Sequence, residues 1–284
     1  MKPRILITFG DSFTHGIGNL HPELYKEKWD SIEEERNFLQ NPIQKKYELD
    51  NSWGIHVANY LNMDYYLNMS NPQWSIGTSW KSFLESDPRK IFSDYDVHVI
   101  FMAGYTTRMD ITTGKLWDSI NPNNDLYDEW IRYLMNGGDD VDESLTFYNH
   151  SQLREIILQL KDWKWKFTLG FNDLDDEIKF REYVNFTNII DPAFEGGMFK
   201  GPDSHQFFVE YDGHINEDGY KFVANHIFGY LNENHSSWIS NTKRTPKSYG
   251  WGLHRLLILG YETDADLFNT HISDKFDFTS TKFI

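Results

Sequence analysis

Cysteine is absent from the 284 residues. That excludes disulfide staples, Cys-ligated zinc, iron–sulfur clusters and a thiol nucleophile. Basic residues are few: 27 Lys and Arg stand against 43 Asp and Glu, a net charge of −16. Such a balance lacks the Lys/Arg clusters that phosphate backbones require, so nucleic acid is not an expected partner. Long apolar runs are missing too. The first one, Ile5-Leu6-Ile7-Thr8-Phe9, is too short for the core of a signal peptide. No stretch approaches the ~18 apolar residues that span a bilayer. The expectation is a soluble, cytoplasmic protein without a membrane partner. Alanine is scarce, at five residues, whereas aromatics make up 17% with ten Trp. Side chains of that size exclude a disordered chain, and the length suffices for a sizeable core in one or two domains.

The patterning alternates. Residues 4–9 read as a short buried strand ended by Gly10-Asp11-Ser12. Trp53, Val57, Tyr60 and Leu61 fit a helix capped by Asn51 or Ser52. Strands are expected at 63–69, 97–103, 165–169 and 186–190, and helices near 126–135 and at 152–160. The clearest helix runs over 216–231, with Tyr220, Val223, Ala224, Ile227 and Leu231 on one face. Strands alternating with helices predict an α/β layer fold around a parallel sheet. Segments 19–50 and 111–150 are polar and weakly periodic and read as insertions. The tail, 235–284, carries six basic and five acidic residues, so the rest of the chain holds a net charge of −17. The expected division is a domain over 1–234 and a C-terminal extension over 235–284, packed on the domain or on a second copy in a homo-oligomer.

Two segments could carry chemistry. Ser12 follows the first strand, where open α/β sheets place their ligands. Its competing reading is an ordinary turn or helix cap. Asp212 and His214 share one loop, so the carboxylate could orient the imidazole as a general base. The competing reading there is a surface loop capped by Asp212 or Asn216. No G-x-S-x-G elbow surrounds Ser12, and no phosphate loop or H-E-x-x-H occurs. The acidic pairs Asp139-Asp140 and Asp175-Asp176 read as solvated loops, and no metal site is expected. His98, inside a predicted strand, reads as a core histidine.

Together, Gly10-Asp11-Ser12-Phe13-Thr14-His15-Gly16 and Asp212-Gly213-His214-Ile215-Asn216-Glu217-Asp218-Gly219-Tyr220 resemble the first and last blocks of the GDSL-type, or SGNH, serine hydrolases. The resemblance covers roughly 4–231 outside the two insertions. It implies a three-layer α/β/α, flavodoxin-like fold with Ser12 as nucleophile, His214 as base and Asp212 as its orienting acid. The family's commoner spacing is Asp-x-x-His, whereas this sequence has Asp-x-His; Glu210 is the local alternative. The family completes its oxyanion hole with a glycine N–H and an Asn side chain. By resemblance the glycine is Gly77, with Ser70 as the weaker choice, and Ser12 adds its own N–H. Thr106 stands at the Asn position, where its hydroxyl can donate one hydrogen bond. Asp11 and Arg108 are candidate substrate contacts.

Gly104-Tyr105-Thr106-Thr107-Arg108 resembles the same block in SGNH-like proteins of tailed viruses. The implied activity is ester hydrolysis through an acyl-enzyme without a cofactor. Trp29, Trp117, Tyr127 and Trp130 in the inserted segments favour a small-molecule or glycan ester, most of all an O-acetyl group on a carbohydrate. Two alternatives stand beside it: a catalytically weak or inactive glycan-binding or virion-associated structural protein of the same fold, and an O-acyltransferase using the same triad.

Overall fold

The computed structural model describes residues 2–26, 30–70, 75–84, 87–104, 109–112, 117–120, 141–209 and 213–250. In chain order the elements are β1 (Arg4–Phe9), α1 (Ser12–His15), α2 (Ile32–Gln40), α3 (Pro42–Asp50), α4 (Trp53–Tyr60), β2 (Tyr65–Asn68), α5 (Ile76–Leu84), α6 (Pro88–Ile91), β3 (Asp96–Ala103), β4 (Met109–Thr112), β5 (Trp117–Ile120), α7 (Val141–Trp163), β6 (Lys166–Phe171), α8 (Leu174–Tyr183), α9 (Glu217–Asn234) and β7 (Lys247–Gly250).

Five strands form an all-parallel sheet in the order β6-β3-β1-β2-β7. At its centre Ile5 lies opposite Val97 on one side and Tyr65 on the other. Successive side chains of a strand face opposite ways. Ile5, Ile7 and Phe9 therefore meet Trp80 and Phe83 of α5 and Ile156 and Leu160 of α7. Leu6 instead meets Trp53 and Val57 of α4 and Tyr220, Val223 and Ile227 of α9. Helices cover both faces, as parallel sheets require. The fold is the expected three-layer α/β architecture.

From β2 through β1 and β3 to β6 the strands follow the doubly wound order, which reverses direction between β1 and β3. Sheets of this kind bind ligands at that switch point, outside the carboxyl ends of the strands. Asp11, after Phe9, and Gly104, after Ala103, meet there.

Several elements differ from expectation. Residues 186–190 make one parallel bridge, Leu169–Ile189, instead of a strand. The amides of Phe186 and Ile189 turn back to the carbonyls of Val184 and Thr187 and do not extend a ladder. The helix expected at 152–160 starts at Val141, because Leu145 shares a buried stripe with Leu153, Ile156 and Leu160. The last ten residues of the expected 111–150 insertion are thus core helix. Asp175-Asp176 is the first turn of α8, where acidic residues favour the exposed amides. Residues 19–50 hold α2 and α3. The expected boundary at 234 does not part the sheet, because β7 pairs with β2 as its edge strand. The helix expected at 126–135 and the Asp139-Asp140 pair lie outside the described residues. Among the described residues no helix is long and apolar enough to cross a membrane.

Candidate active site

Ser12 opens α1, three residues beyond the end of β1, and is 9% exposed. Asp11 caps that turn: its Oδ1 accepts the Phe13 N–H at 3.2 Å. Asp11 is itself 1% exposed. Its carboxylate is turned into the protein. Asn172, just past β6, donates through Nδ2 to both Asp11 oxygens at 3.1 Å. Gly104, just past β3, faces the same carboxylate: a Cβ there would sit 2.9 Å from Asp11 Oδ2. Three strand ends therefore converge on the Asp11-Ser12 turn.

The second strand contributes from the other side. Asn68, the last residue of β2, donates to the Thr14 carbonyl at 2.9 Å and accepts the Ser70 N–H at 3.0 Å. His15 Nδ1 lies 3.3 Å from the Ser70 carbonyl oxygen. The Ser75 hydroxyl caps α5 by accepting the Thr78 N–H at 3.0 Å. Gly77 lies buried in that first turn, whose amides have no partners within the helix. Ser79, half a turn on, donates to the Gly10 carbonyl at 3.5 Å, which puts the start of α5 beside the Ser12 loop.

His214 reaches the same place from far along the chain. The Val209 N–H donates to its carbonyl at 2.8 Å, and Ile215 makes an antiparallel bridge with Phe208, so 208–209 lie beside 214–215. Asn216 then caps α9 by accepting the Gly219 N–H at 3.0 Å. The Phe13 ring lies between Phe199, at 4.9 Å, and the His214 imidazole, at 4.8 Å. Gly18 is what lets the two loops touch. Its φ is +100°, and a Cβ there would meet the Ile215 carbonyl oxygen at 2.4 Å and His214 Cβ at 3.0 Å. Tyr220 closes the contact by donating to the Ile17 carbonyl at 2.6 Å.

Helix α3 braces both loops. Glu48 is buried, with one oxygen 3.5 Å from His15 Nε2 and the other accepting from Gln44 Nε2 at 2.9 Å. Gln44 Nε2 also donates to the Asn19 carbonyl at 2.8 Å. The neighbouring Tyr47 donates to Glu217 at the start of α9 at 3.0 Å. Tyr47 is held above the usual phenol range by burial and by that carboxylate.

The structure therefore brings Ser12, His214, Asp11 and the first turn of α5 with Gly77 to one end of the sheet. Asp212, its alternative Glu210, Thr106 and Arg108 lie outside the described residues. Among the described residues no cluster of three or more His, Asp or Glu could hold a metal ion. An open cleft lined by Lys2, Arg4, Tyr95 and Asp96 lies at the opposite, amino-terminal end of the strands. Its charges are engaged there: Arg4 bonds the carbonyls of Leu61 and Trp238, and Asp96 pairs with Lys166 at 3.0 Å. Sequence reasoning missed Asn172. Its signal was a polar residue ending a buried run, hidden because the strand was expected to stop at Leu169.

No family model matches the chain. A stretch of 90 residues is 26% identical to an adapter protein MecA of Macrococcus caseolyticus (strain JCSC5402), covering 31% of this chain and 39% of that protein. The match thus spans about two-fifths of the curated relative's length. Among solved structures, one described as a carbohydrate esterase whose active site displays divergent catalytic and non-catalytic binding functions is similar at 16% identity. It superposes with a TM-score of 0.49, over 84% of this chain and 68% of that one. Likeness at that level adds nothing to the reading of the site.

Proposed function

We propose that this protein is a serine esterase. The observation that carries the reading is the packing of the Ser12 turn on the His214 loop at the switch point of the sheet, through the 4.8 Å contact of Phe13 with the imidazole. Two segments about 200 residues apart in sequence, each bearing one half of an acyl-transfer pair, converge where this architecture binds ligands.

In the proposed cycle Ser12 Oγ attacks the ester carbonyl carbon while the His214 imidazole takes its proton. The oxyanion is held by the Ser12 and Gly77 N–H groups and the Thr106 hydroxyl. The carbon–oxygen bond to the alcohol breaks, and His214 returns the proton to that alcohol. Water then adds to the acyl-enzyme by the same route, releasing the acid and restoring Ser12. Asp212 orients the imidazole in this reading. The substrate proposed is an O-acetyl group on a carbohydrate. That choice rests on the aromatic residues of the two inserted segments, of which Trp29, Tyr127 and Trp130 lie outside the described residues and Trp117 lies on β5.

The test is cleavage of a chromogenic acetyl ester together with labelling by a fluorophosphonate. Both reactions are expected for the native protein, with the label on Ser12, and both are expected to vanish in Ser12→Ala. Equal turnover by Ser12→Ala would remove the reading. Faster release of acetate from an O-acetylated oligosaccharide than from a simple alkyl acetate is the expected sign of the carbohydrate preference.

A further inference from the structure

We infer that Asn172 is a positioning residue for this reaction, acting through Asp11 on the turn that carries Ser12; the inference rests on the esterase reading above. Asn172 is 2% exposed and follows β6, while Asp11 is 1% exposed and follows β1. Their side chains meet across the carboxyl edge of the sheet with Nδ2 3.1 Å from each carboxylate oxygen. Asp11 in turn accepts the Phe13 N–H, which fixes the first turn of α1. The chain of contacts runs Asn172, Asp11, Phe13, and Phe13 is the residue whose ring packs on His214. One amide therefore governs both the direction of Ser12 and the surface on which the base rests.

The arrangement is costly in a way that packing alone does not explain. Asn172 Oδ1 is buried with no hydrogen-bond partner, and an unpaired buried carbonyl costs on the order of 1–3 kcal/mol. An apolar residue of similar shape would avoid that cost but would remove the two Nδ2 bonds to the Asp11 carboxylate. Turning the amide over would set its oxygen against the carboxylate. The Asn172 backbone is fixed as well, by its N–H on the Ala103 carbonyl at 3.0 Å. Gly104 keeps the route clear, since any side chain there would press on Asp11. Among the described residues, the titratable groups packed about this turn include Asp11, His15 with Glu48 against it from α3, and His214 beyond Phe13.

The experiment measures the second-order rate of fluorophosphonate labelling at Ser12, with kcat and KM for a small acetyl ester, in the full chain and in Asn172→Ala and Asn172→Asp. Asn172→Ala is expected to lower labelling and kcat about 10-fold to 100-fold, less than the ~10²–10³-fold typical of losing a direct oxyanion donor, with KM nearly unchanged. Asn172→Asp places two carboxylates within hydrogen-bond reach, so one holds a proton as pH falls. The protonated form donates to Asp11 as the amide did. The labelling rate of Asn172→Asp relative to the native protein is therefore expected to climb from pH 8 to pH 5. A residue that only fills space gives a ratio independent of pH.

Unfolding midpoints accompany each rate, and the pH ratio for Asn172→Asp does not depend on the Ala variant folding. A labelled native protein with unchanged rates in both variants overturns the positioning role and leaves the esterase reading standing. A native protein that neither takes the label nor cleaves the ester overturns both.

Discussion

His150 shows how a single side chain sets acid sensitivity. It lies in α7 at 1% exposure, edge-on to Phe180 at 5.4 Å, with neither ring nitrogen hydrogen-bonded. Burial, with a smaller contribution from Lys179, pushes its pKa down to about 4. His98 is also held at about 4 by burial, against the opposing pull of Asp96 3.1 Å from its Nε2. The unfolded chain takes up these protons near pH 6.5, whereas the folded chain refuses them until about pH 4. Stability is therefore present above pH 6.5 and falls as the pH drops toward 4. At ~1.4 kcal/mol per pH decade, His150 contributes a loss of up to ~3 kcal/mol over that window. His150→Phe is expected to be neutral or slightly stabilising at pH 7.5 and clearly stabilising at pH 5, as measured by urea unfolding at the two pH values. Equal effects at both would show that His150 does not titrate. Gly18→Ala belongs to the same scale. At φ +100° and 2.4 Å from a backbone oxygen, it is expected to cost ~1–3 kcal/mol and to slow Ser12 labelling more than any loss of folded protein explains.

At the scale of elements, α3 has the largest consequence for the site. It begins at Pro42 after the Asn41 cap, whose side chain accepts the Ile43 N–H at 2.8 Å. It then delivers Glu48 to His15 on the nucleophile turn and Tyr47 to Glu217 on the helix that follows the base. Glu48→Ala leaves the buried Gln44 amide and His15 without that carboxylate and is expected to cost ~2 kcal/mol. Tyr47→Phe removes one half-buried hydrogen bond and is expected to cost ~1 kcal/mol. Labelling of Ser12 is expected to fall further in Glu48→Ala than in Tyr47→Phe, because only Glu48 touches the turn that carries the serine. Urea titration and labelling rates check both. The helix was not legible in the sequence. Its buried face is polar, through Gln44 and Glu48, and such a face carries no apolar period.

At the scale of the whole molecule, the net charge of −16 acts on substrate approach. A field of that sign repels anionic esters over about a Debye length, ~10 Å at 0.1 M salt. Cleavage of a negatively charged acetyl ester is expected to rise several-fold between 20 and 500 mM salt, while a neutral one changes little. Initial rates at the two salt concentrations test this. The sheet was legible where a strand was mostly apolar, as in Arg4–Phe9 and Asp96–Ala103. It was not legible at β7, whose Lys247-Ser248-Tyr249-Gly250 carries one large apolar residue. An edge strand needs only one covered face, so tertiary pairing with β2 decides it.

The sequence by itself determined the α/β class, the central strands and the two end blocks. Buried strands must be apolar, and a serine past a strand or an imidazole before a helix is a local fact. Only the tertiary structure decided what lies beside Ser12. Asn172, Gly104, Asn68 and Glu48 come from four separate stretches of chain, and parallel crossovers bring their strand ends and helix turns to one point. No local pattern encodes that meeting, because the contacts that define it are long-range side-chain hydrogen bonds and close backbone approaches.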